Sequence, residues 1–312
     1  MKPYVVANQK AGQSALLEDD LRKQIETEAT LLICEDGTDM GQLVREALSR
    51  DCTRIVAAGG DGTVNAVANQ LIKVQSRAEL AVLPLGTGND LARALGMPMN
   101  DPSAALEAAL NAPARSADAV RVTACNGDWQ GHMLNAGYGG LGGRLADEVD
   151  VDSKERLGAV AYWIAAVRRT LDMPTYRLSV EVDGRSLSLD AHGILVANGA
   201  FLAGGVAVAP EARLDDGCLD VAIVPSGNAL DMIATILDVL RARHDEKDGL
   251  LTMQARELRC SAEPAMEFTA DGEAMPGKAL HFEILPKAIR LVAMDRAVGF
   301  DARRAGMFES SS

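Results

Sequence analysis

The first third of the chain repeats a short apolar or β-branched run followed by a longer segment with apolar residues at helical spacing. The short runs predict buried strands, and the longer segments predict amphipathic helices. The predicted strands are residues 4–7, 31–34, 54–58 and 80–83, and the predicted helices are residues 14–28, 39–49, 63–70, 91–95 and 101–110. Regular alternation of strand and helix predicts a parallel sheet covered on both faces.

From residue 117 onward the pattern changes to short segments in which polar and apolar residues alternate, as expected for antiparallel strands. Asp183-Gly184, between two of these segments, predicts a tight hairpin. The predicted strands are residues 119–124, 130–135, 176–182, 186–190, 193–197, 219–224, 280–285 and 288–293, and the predicted helices are residues 153–171 and 229–241.

These patterns predict two domains, because a chain of 312 residues exceeds the usual size of one domain. The predicted fold class is α/β plus β. An N-terminal parallel-sheet α/β domain spans residues 1–116, and a C-terminal antiparallel, β-rich sandwich domain spans residues 117–295. A C-terminal tail covers residues 296–312, and its return to the first domain is left open.

The chain is strongly acidic, with a formal net charge of −13. A nucleic-acid partner is excluded, because the sequence has no basic stripe that could replace condensed counterions. The same charge opposes standing attraction to an anionic membrane. The five cysteines are scattered and lack CxxC spacing, which argues against a zinc site or a disulfide framework and fits a reducing cytosol.

The sequence predicts a cytoplasmic protein that contacts a membrane only transiently, at its inner face. The N-terminal residues already have the pattern of a strand rather than of a signal peptide. The longest apolar run, residues 157–167, is shorter than the roughly 20 residues needed to span a bilayer. The helix around this run fits either the protein core or a lipid contact.

Two glycine-rich turns follow predicted strands, at residues 59–65 and 84–90. Glycines at a strand-to-helix turn let an anion approach main-chain N–H groups at the positive end of the helix. Loops at the carboxyl ends of neighbouring parallel strands converge, so both turns can hold one polyphosphate. The alternative is that each turn is only a tight connection. The predicted nucleotide-binding residues are Gly59, Gly60, Asp61, Gly62, Thr63, Val64, Asn65, Gly86, Thr87 and Asn89.

GGDGTVN at residues 59–65, followed by PLGTGNDLAR at residues 84–93, resembles the catalytic domain of diacylglycerol kinases and of soluble bacterial lipid kinases. GGDGT is also found in NAD kinases and 6-phosphofructokinases, and the second motif favours the lipid kinases. The resemblance implies an NAD kinase-like fold, ATP and Mg²⁺ as cofactors, and a lipid substrate such as diacylglycerol. The chain departs from the family pattern at Gln9, where the family usually has proline. It also departs at Cys34, near which the family has a threonine that contacts the nucleotide.

Phosphoryl transfer needs a held triphosphate, a cation and a group that activates the acceptor hydroxyl. Asp61 is the candidate catalytic carboxylate beside the phosphates, where it would act through Mg²⁺ or orient the turn; the alternative is an Asp bonded to its own turn. Taken alone, Asp271-Gly272-Glu273 predicts a hairpin with a solvated acid. The resemblance implies that Glu273 is the general base of catalysis.

A second acidic turn, at residues 214–220, fits either a plain hairpin or a Ca²⁺ or Mg²⁺ site. The resemblance implies a regulatory or structural cation there. Its ligands would be the Asp216 side chain and the main-chain carbonyls of Arg213 and Cys218.

Two further glycine motifs indicate other chemistries but lack the required context. Residues 137–142 spell GxGxxG without the acidic residue of a dinucleotide site, and residues 272–278 spell GxxxxGK without the following Ser or Thr of a P-loop. The alternatives to a lipid kinase are a kinase of a water-soluble acceptor, as in NAD kinases, and a non-catalytic nucleotide- or lipid-binding regulator. The sequence leaves the lipid, the preference for ATP over GTP and a homo-oligomeric state open.

Overall fold

The computed structural model describes residues 2–8, 19–35, 39–140, 174–202, 204–227, 250–295, 297 and 299–300. The helices predicted at 153–171 and 229–241 lie outside these residues. Among the helices that are described, none has the length and apolar character needed to cross a bilayer.

Five helices and seventeen strands are described, in an order that follows the predicted pattern. The helices are α1 (Asp19–Glu28), α2 (Met40–Ser49), α3 (Asp61–Lys73), α4 (Asp90–Ala94) and α5 (Pro102–Asn111). The strands are β1 (Tyr4–Asn8), β2 (Thr30–Cys34), β3 (Arg54–Gly59), β4 (Glu79–Pro84), β5 (Ala114–Ala124), β6 (Gln130–Met133), β7 (Ala136–Gly140), β8 (Tyr176–Val182), β9 (Arg185–Ala197), β10 (Phe201–Leu202), β11 (Val206–Ala207), β12 (Leu219–Pro225), β13 (Leu251–Ala255), β14 (Glu257–Glu263), β15 (Phe268–Ala270), β16 (Glu273–Met275) and β17 (Ala279–Val292).

The N-terminal strands form the predicted parallel sheet, in the order β2-β1-β3-β4. Each strand is followed by a helix, which confirms the predicted alternation. Helix α5 begins where the sequence predicted a cap, because the Asp101 carboxylate accepts a hydrogen bond from the Ala104 N–H at 3.0 Å. Pro102 occupies the first helical position, where its missing N–H costs nothing.

The C-terminal strands pair antiparallel, as predicted, and the β8–β9 hairpin turns at Asp183-Gly184 with φ values of +47° and +79°. Residues 186–190 and 193–197, predicted as two strands, form the single strand β9. His192, between the two predicted strands, is buried, with Nδ1 3.2 Å from the Pro174 carbonyl oxygen.

Strand β17 joins the two halves of the sheet. The prediction of two strands at residues 280–285 and 288–293 is wrong, because both segments belong to β17. It pairs antiparallel with β14 and β5, and its Arg290 and Leu291 pair in parallel with β4. The register shifts between Leu285 and Ile289. Lys287 takes a positive φ in this irregularity, and its N–H donates to the buried carboxylate of Asp118 at 2.7 Å.

Among the described residues, the buried apolar side chains form two clusters. The first lies among the parallel strands and their helices, and it also contains Ala297 and Phe300 from the end of the chain. The second lies among the antiparallel strands and contains Leu178, Phe268 and Phe282. The boundaries at residues 116 and 295 stay a prediction.

We expect Leu178→Ala to lower the free energy of unfolding by about 2–5 kcal/mol, because it leaves a cavity in the second cluster. Leu178 is 0% exposed, whereas Leu187 in the same hairpin is 39% exposed. Chemical denaturation of both alanine variants provides the comparison. Equal losses for Leu178→Ala and Leu187→Ala would contradict the position of the second cluster.

Candidate active site

The two glycine-rich turns lie against each other at the carboxyl ends of β3 and β4. A Cβ placed on Gly86 would overlap the Cα of Gly60, and a Cβ on Gly59 would overlap the Thr63 side chain. Gly86 is therefore required by close approach of the main chain, and Gly59 by the position of the Thr63 side chain. The packing brings the two predicted parts of the phosphate cradle into one surface.

Asp61 links the first turn to the second. Its Oδ1 accepts a hydrogen bond from the Asp90 N–H at 2.9 Å, and a Cβ on Gly88 would lie 2.6 Å from its Oδ2. Asp61 is the first residue of α3, which follows Gly60 without any side-chain cap. The exposed Gly62 comes next, in the first turn, where main-chain N–H groups have no carbonyl partner within the helix.

Asn89 shapes the second turn by folding its side chain back onto the main chain. It has a left-handed backbone, with φ +54° and ψ +41°. Its Oδ1 accepts from the Gly86 N–H at 3.1 Å, and its Nδ2 donates to the Gly86 carbonyl oxygen. Asn89 is buried and Thr87 is exposed at the tip. The side chain of Asn89 thus supports the turn, whereas Thr87 is open to solvent.

Asp90 ties the second turn to the β-rich part of the chain. Its two carboxylate oxygens accept hydrogen bonds from the N–H groups of Gly204, at 3.2 Å, and Gly205, at 2.6 Å. Burial raises the pKa of Asp90, and the nearby Asp61 carboxylate adds to the shift, while the two glycine N–H groups oppose it. Local sequence patterns do not predict this contact, because the partners are 114 and 115 residues away.

The Asp271-Gly272-Glu273 segment forms the predicted hairpin turn, between β15 and β16. Asp271 and Gly272 have φ values of +47° and +84°. Glu273 is exposed and extends over the first turn of α3. A Cβ placed on Gly62 would lie 3.6 Å from Glu273 Oε1. The structure therefore brings the predicted base and the predicted phosphate cradle together.

Asp271 is buried, so the expectation of a solvated acid in this turn is wrong for this residue. Its Oδ1 accepts from the N–H groups of Asn135 and Ala136, and its Oδ2 accepts from the Leu134 N–H and from Asn65 Nδ2, over distances of 2.7–3.2 Å. Burial raises the pKa of Asp271 to about 6, against the opposing effect of the four donors.

The side chain of Asn65, predicted to bind the nucleotide, is bonded to other groups of the protein. Asn65 Nδ2 donates to Asp271 Oδ2 at 2.9 Å and to the His132 carbonyl oxygen at 3.0 Å. Its Oδ1 accepts from Asn69 Nδ2 at 2.7 Å. Thr63 and Val64 are buried, and the Val64 N–H donates to the Gly60 carbonyl oxygen at 3.1 Å.

The predicted cation turn lies in a different place, beside the irregularity in β17. Asp216 Oδ1 accepts from the Cys218 N–H at 3.0 Å, and the Gly217 N–H donates to Asp118 at 2.7 Å. Desolvation in the turn raises the pKa of Asp216 although its surface is exposed, and the carboxylates of Asp220 and Asp118 add to the shift. This concentration of negative charge suits a cation.

Within the described residues, no group of three or more His, Cys, Asp or Glu side chains is arranged to hold a metal ion. The ligand set predicted at Asp216 uses one carboxylate and two main-chain carbonyls, so that finding does not bear on it. The Arg213 side chain forms an ion pair with Asp215 at 2.7 Å. This contact does not involve the Arg213 main-chain carbonyl, whose role as a cation ligand stays a prediction.

The two misleading motifs have ordinary structural explanations. Gly137 and Gly139 lie in strand β7, between β9 and β15, rather than in a strand-to-helix turn. Residues 272–278 run through the β15–β16 hairpin and β16. Close packing of β7 against Phe268 and Met266 explains Gly139, because a Cβ there would lie 2.6 Å from either side chain.

Known proteins share both halves of this architecture. Residues 2–122 match the profile of the diacylglycerol kinase catalytic domain, and residues 132–293 match that of the YegS C-terminal NAD kinase beta sandwich-like domain. The chain belongs to the YegS-like, diacylglycerol kinase-related family of lipid kinases. This membership confirms the family, the fold class and the assignment as a kinase, all predicted from residues 59–65 and 84–93.

Relatives of this lipid kinase extend over most of its length. A probable lipid kinase YegS-like from Pseudomonas aeruginosa is 35% identical over 82% of each chain. A diacylglycerol kinase from Bacillus subtilis is 30% identical, over 77% of this chain and 78% of that protein. The crystal structure of a diacylglycerol kinase from Bacillus anthracis superposes with a TM-score of 0.73, at 25% identity, over 94% of this chain and 97% of that one.

We expect the burial of Asp271 to make the stability of the protein depend on pH. The pKa of about 6 lies above the value of about 4 for an exposed Asp, so the folded state binds this proton more tightly than the unfolded state. The contribution of this carboxyl to stability is therefore fully present below about pH 4 and is lost as the pH rises to about 6, a change of about 3 kcal/mol.

The measurement is the unfolding free energy of the wild type and of Asp271→Asn between pH 4 and 7, with Asp183→Asn as the control in the same type of turn. The difference between wild type and Asp271→Asn should change over this range, and that for Asp183→Asn should change little. A pH-independent difference for Asp271→Asn would contradict the raised pKa.

Proposed function

We propose that this protein is an ATP-dependent lipid kinase that phosphorylates a hydroxyl group of a membrane lipid, with diacylglycerol as the leading acceptor. The observation that carries the proposal is the position of Glu273. Its carboxylate lies over Gly62, in the first turn of the helix that follows the glycine-rich turn. A base beside a phosphate cradle is the arrangement that transfer to an alcohol requires.

The triphosphate of ATP would lie along the surface formed by the two glycine-rich turns. Main-chain N–H groups at the start of α3 supply donors, and the helix dipole favours negative charge there. Contact between Gly60 and Gly86 makes the two turns one continuous binding surface. The binding residues proposed are those predicted from sequence, with Asn65 and Asn89 supporting the shape of the site because their side chains are bonded to protein groups.

Asp61 is the residue that fits a Mg²⁺ ion at the nucleotide. Its Oδ1 is bonded to the Asp90 N–H, while its Oδ2 lies beside Gly88 in the second glycine-rich turn. Both Asp90 oxygens are occupied by the glycine N–H groups, so Asp90 serves the loop rather than a cation. When bound, Mg²⁺ would neutralise charge on the phosphate oxygens.

In the proposed reaction, Glu273 accepts the proton of the lipid hydroxyl as the hydroxyl oxygen attacks the γ-phosphorus. A new P–O bond to the lipid forms, the bond from the γ-phosphorus to the bridging oxygen breaks, and ADP leaves with that electron pair. With diacylglycerol as acceptor the product is its phosphate monoester. Glu273 is exposed, so it is accessible to an acceptor that approaches between the β15–β16 hairpin and α3.

A second cation at Asp216, with the carbonyls of Arg213 and Cys218, is proposed as structural or regulatory. The turn is bonded through Gly217 to Asp118, which in turn holds Lys287 in β17. A cation there would stabilise the junction between the acidic turn and the strand that joins both halves of the sheet.

The experiment that tests the proposal follows the transfer of radiolabel from γ-labelled ATP to acceptors of two kinds. We expect label in the organic phase with diacylglycerol in mixed micelles or with phosphatidylglycerol, loss of transfer with EDTA, and its return with added Mg²⁺. Label transferred instead to NAD in the aqueous phase would favour the water-soluble acceptor. No transfer to any acceptor, with ATP bound, would favour a non-catalytic regulator.

The same assay includes Glu273→Gln, which removes the base with little change in shape. We expect kcat to fall by 10²-fold or more, about the contribution of a general base, while ATP affinity stays within a few-fold. Glu267→Gln is the matched control, because Glu267 is also exposed and precedes the same hairpin. Loss of ATP affinity with turnover preserved would contradict the assigned role.

A further inference from the structure

Helix α3 contacts the β-rich part of the chain through two asparagines one turn apart. Asn69 Oδ1 accepts from the His132 N–H at 2.8 Å, and both Asn65 and Asn69 donate from Nδ2 to the His132 carbonyl oxygen at 3.0 Å. Asn69 also donates to Asn65 Oδ1. Asn65 and Asn69 therefore hold the main-chain N–H and C=O groups of His132 against α3, the helix that begins at the first glycine-rich turn.

Asp271 extends this contact into the hairpin that carries Glu273. Its carboxylate is 8% exposed and accepts four hydrogen bonds, three of them from consecutive main-chain N–H groups of residues 134–136, between β6 and β7. The fourth comes from Asn65, which is 206 residues away in sequence. One side chain thus joins the hairpin, the β6–β7 connection and the nucleotide-binding helix.

The geometry of the turn passes this restraint on to Glu273. Only Gly272 separates the two acids, and both residues of the turn have positive φ. Glu273 pairs with Ala270 in the β15–β16 ladder, so its main chain cannot move independently of Asp271. The Asn65–Asp271 hydrogen bond lies one helical turn beyond Gly62, over which the Glu273 carboxylate lies.

We propose that Asp271 is a positioning residue that, through its hydrogen bond to Asn65, sets the distance between the Glu273 carboxylate and the phosphate-binding turn. This inference rests on the function proposed above and adds a role for a residue that does not touch the substrate. On this inference, the Asn65 side chain holds α3 against the β15–β16 hairpin and does not contact the nucleotide.

Asp271→Asn is the sharpest single change, because no orientation of an amide suits this site. One carboxylate oxygen faces two main-chain N–H groups, and the other faces the Leu134 N–H and Asn65 Nδ2. In either orientation the new NH₂ group opposes two donors. We expect kcat for lipid phosphorylation to fall at least tenfold, while KM for ATP changes less than threefold.

Asn65→Asp combined with Asp271→Asn provides a rescue. In the double variant, the carboxylate at position 65 can accept from the amide at position 271 and from Asn69, while the His132 carbonyl keeps its bond from Asn69. Asn65→Asp alone places two carboxylates in contact. We expect each single variant to lose kcat and the double variant to regain at least threefold over the worse single one.

Two controls separate positioning from loss of stability. Asp183→Asn alters the same Asp-Gly turn geometry at the β8–β9 hairpin, where Asp183 Oδ1 accepts from the N–H groups of Arg256 and Glu257. Leu178→Ala destabilises a distant part of the core. Both should keep wild-type kcat at a temperature where they are folded. Asn65→Ala, a change at a half-buried side chain, replaces Asp271→Asn if the latter does not fold, with the same kcat loss expected.

The outcomes distinguish this inference from the proposed function. A wild-type protein that transfers no phosphate to lipid overturns the function. An active wild type with normal kcat in the folded Asp271 and Asn65 variants overturns the positioning role alone. A raised KM for ATP with unchanged kcat in Asn65→Asp or Asn65→Ala also overturns it, because that result would make Asn65 a nucleotide ligand.

Discussion

The hydrogen bond between Asn65 and Asp271 is the contact on which the arrangement of the candidate site depends. It connects the helix that starts at the glycine-rich turn with the hairpin that carries Glu273. The two segments come from opposite ends of the chain and from different parts of the sheet. Because the Asp271 carboxylate is buried and accepts four donors, moving either segment would leave polar groups unpaired.

Glycine supplies the second constraint, at the places where the main chain itself must face the ligand. Gly60 and Gly86 touch through their backbones, and Gly62 lies beside the Glu273 carboxylate. The acidic side chains around these turns then have different tasks. Asp90 holds a loop of the β-rich part, Asp61 bridges the two turns, and Asp271 holds the hairpin.

The sequence was informative wherever function or structure depends on neighbouring residues. Strand-to-helix alternation, the Asp101 cap and the two glycine-rich turns are local features, and the structure contains all of them. Asp183-Gly184 and Asp271-Gly272 show the limit of local reading. Both pairs form turns with nearly the same φ values, and both carboxylates accept from distant main-chain N–H groups. Asp183 is nevertheless exposed and Asp271 buried, and only Asp271 of the two also bonds to α3, through Asn65. For a similar reason, the sequence predicts two strands in place of β9 and two in place of β17. The residues that contact His192 and the Lys287 N–H are distant in sequence.

A crystal structure with a non-hydrolysable ATP analogue and Mg²⁺ would show directly whether the glycine-rich turns and Glu273 form one site. We expect the γ-phosphate at the main-chain N–H groups of the first turn of α3, facing the Glu273 carboxylate, with Asp61 at the cation. Phosphates bound elsewhere, with the glycine-rich turns turned toward solvent and Glu273 remote from the γ-phosphate, would contradict it.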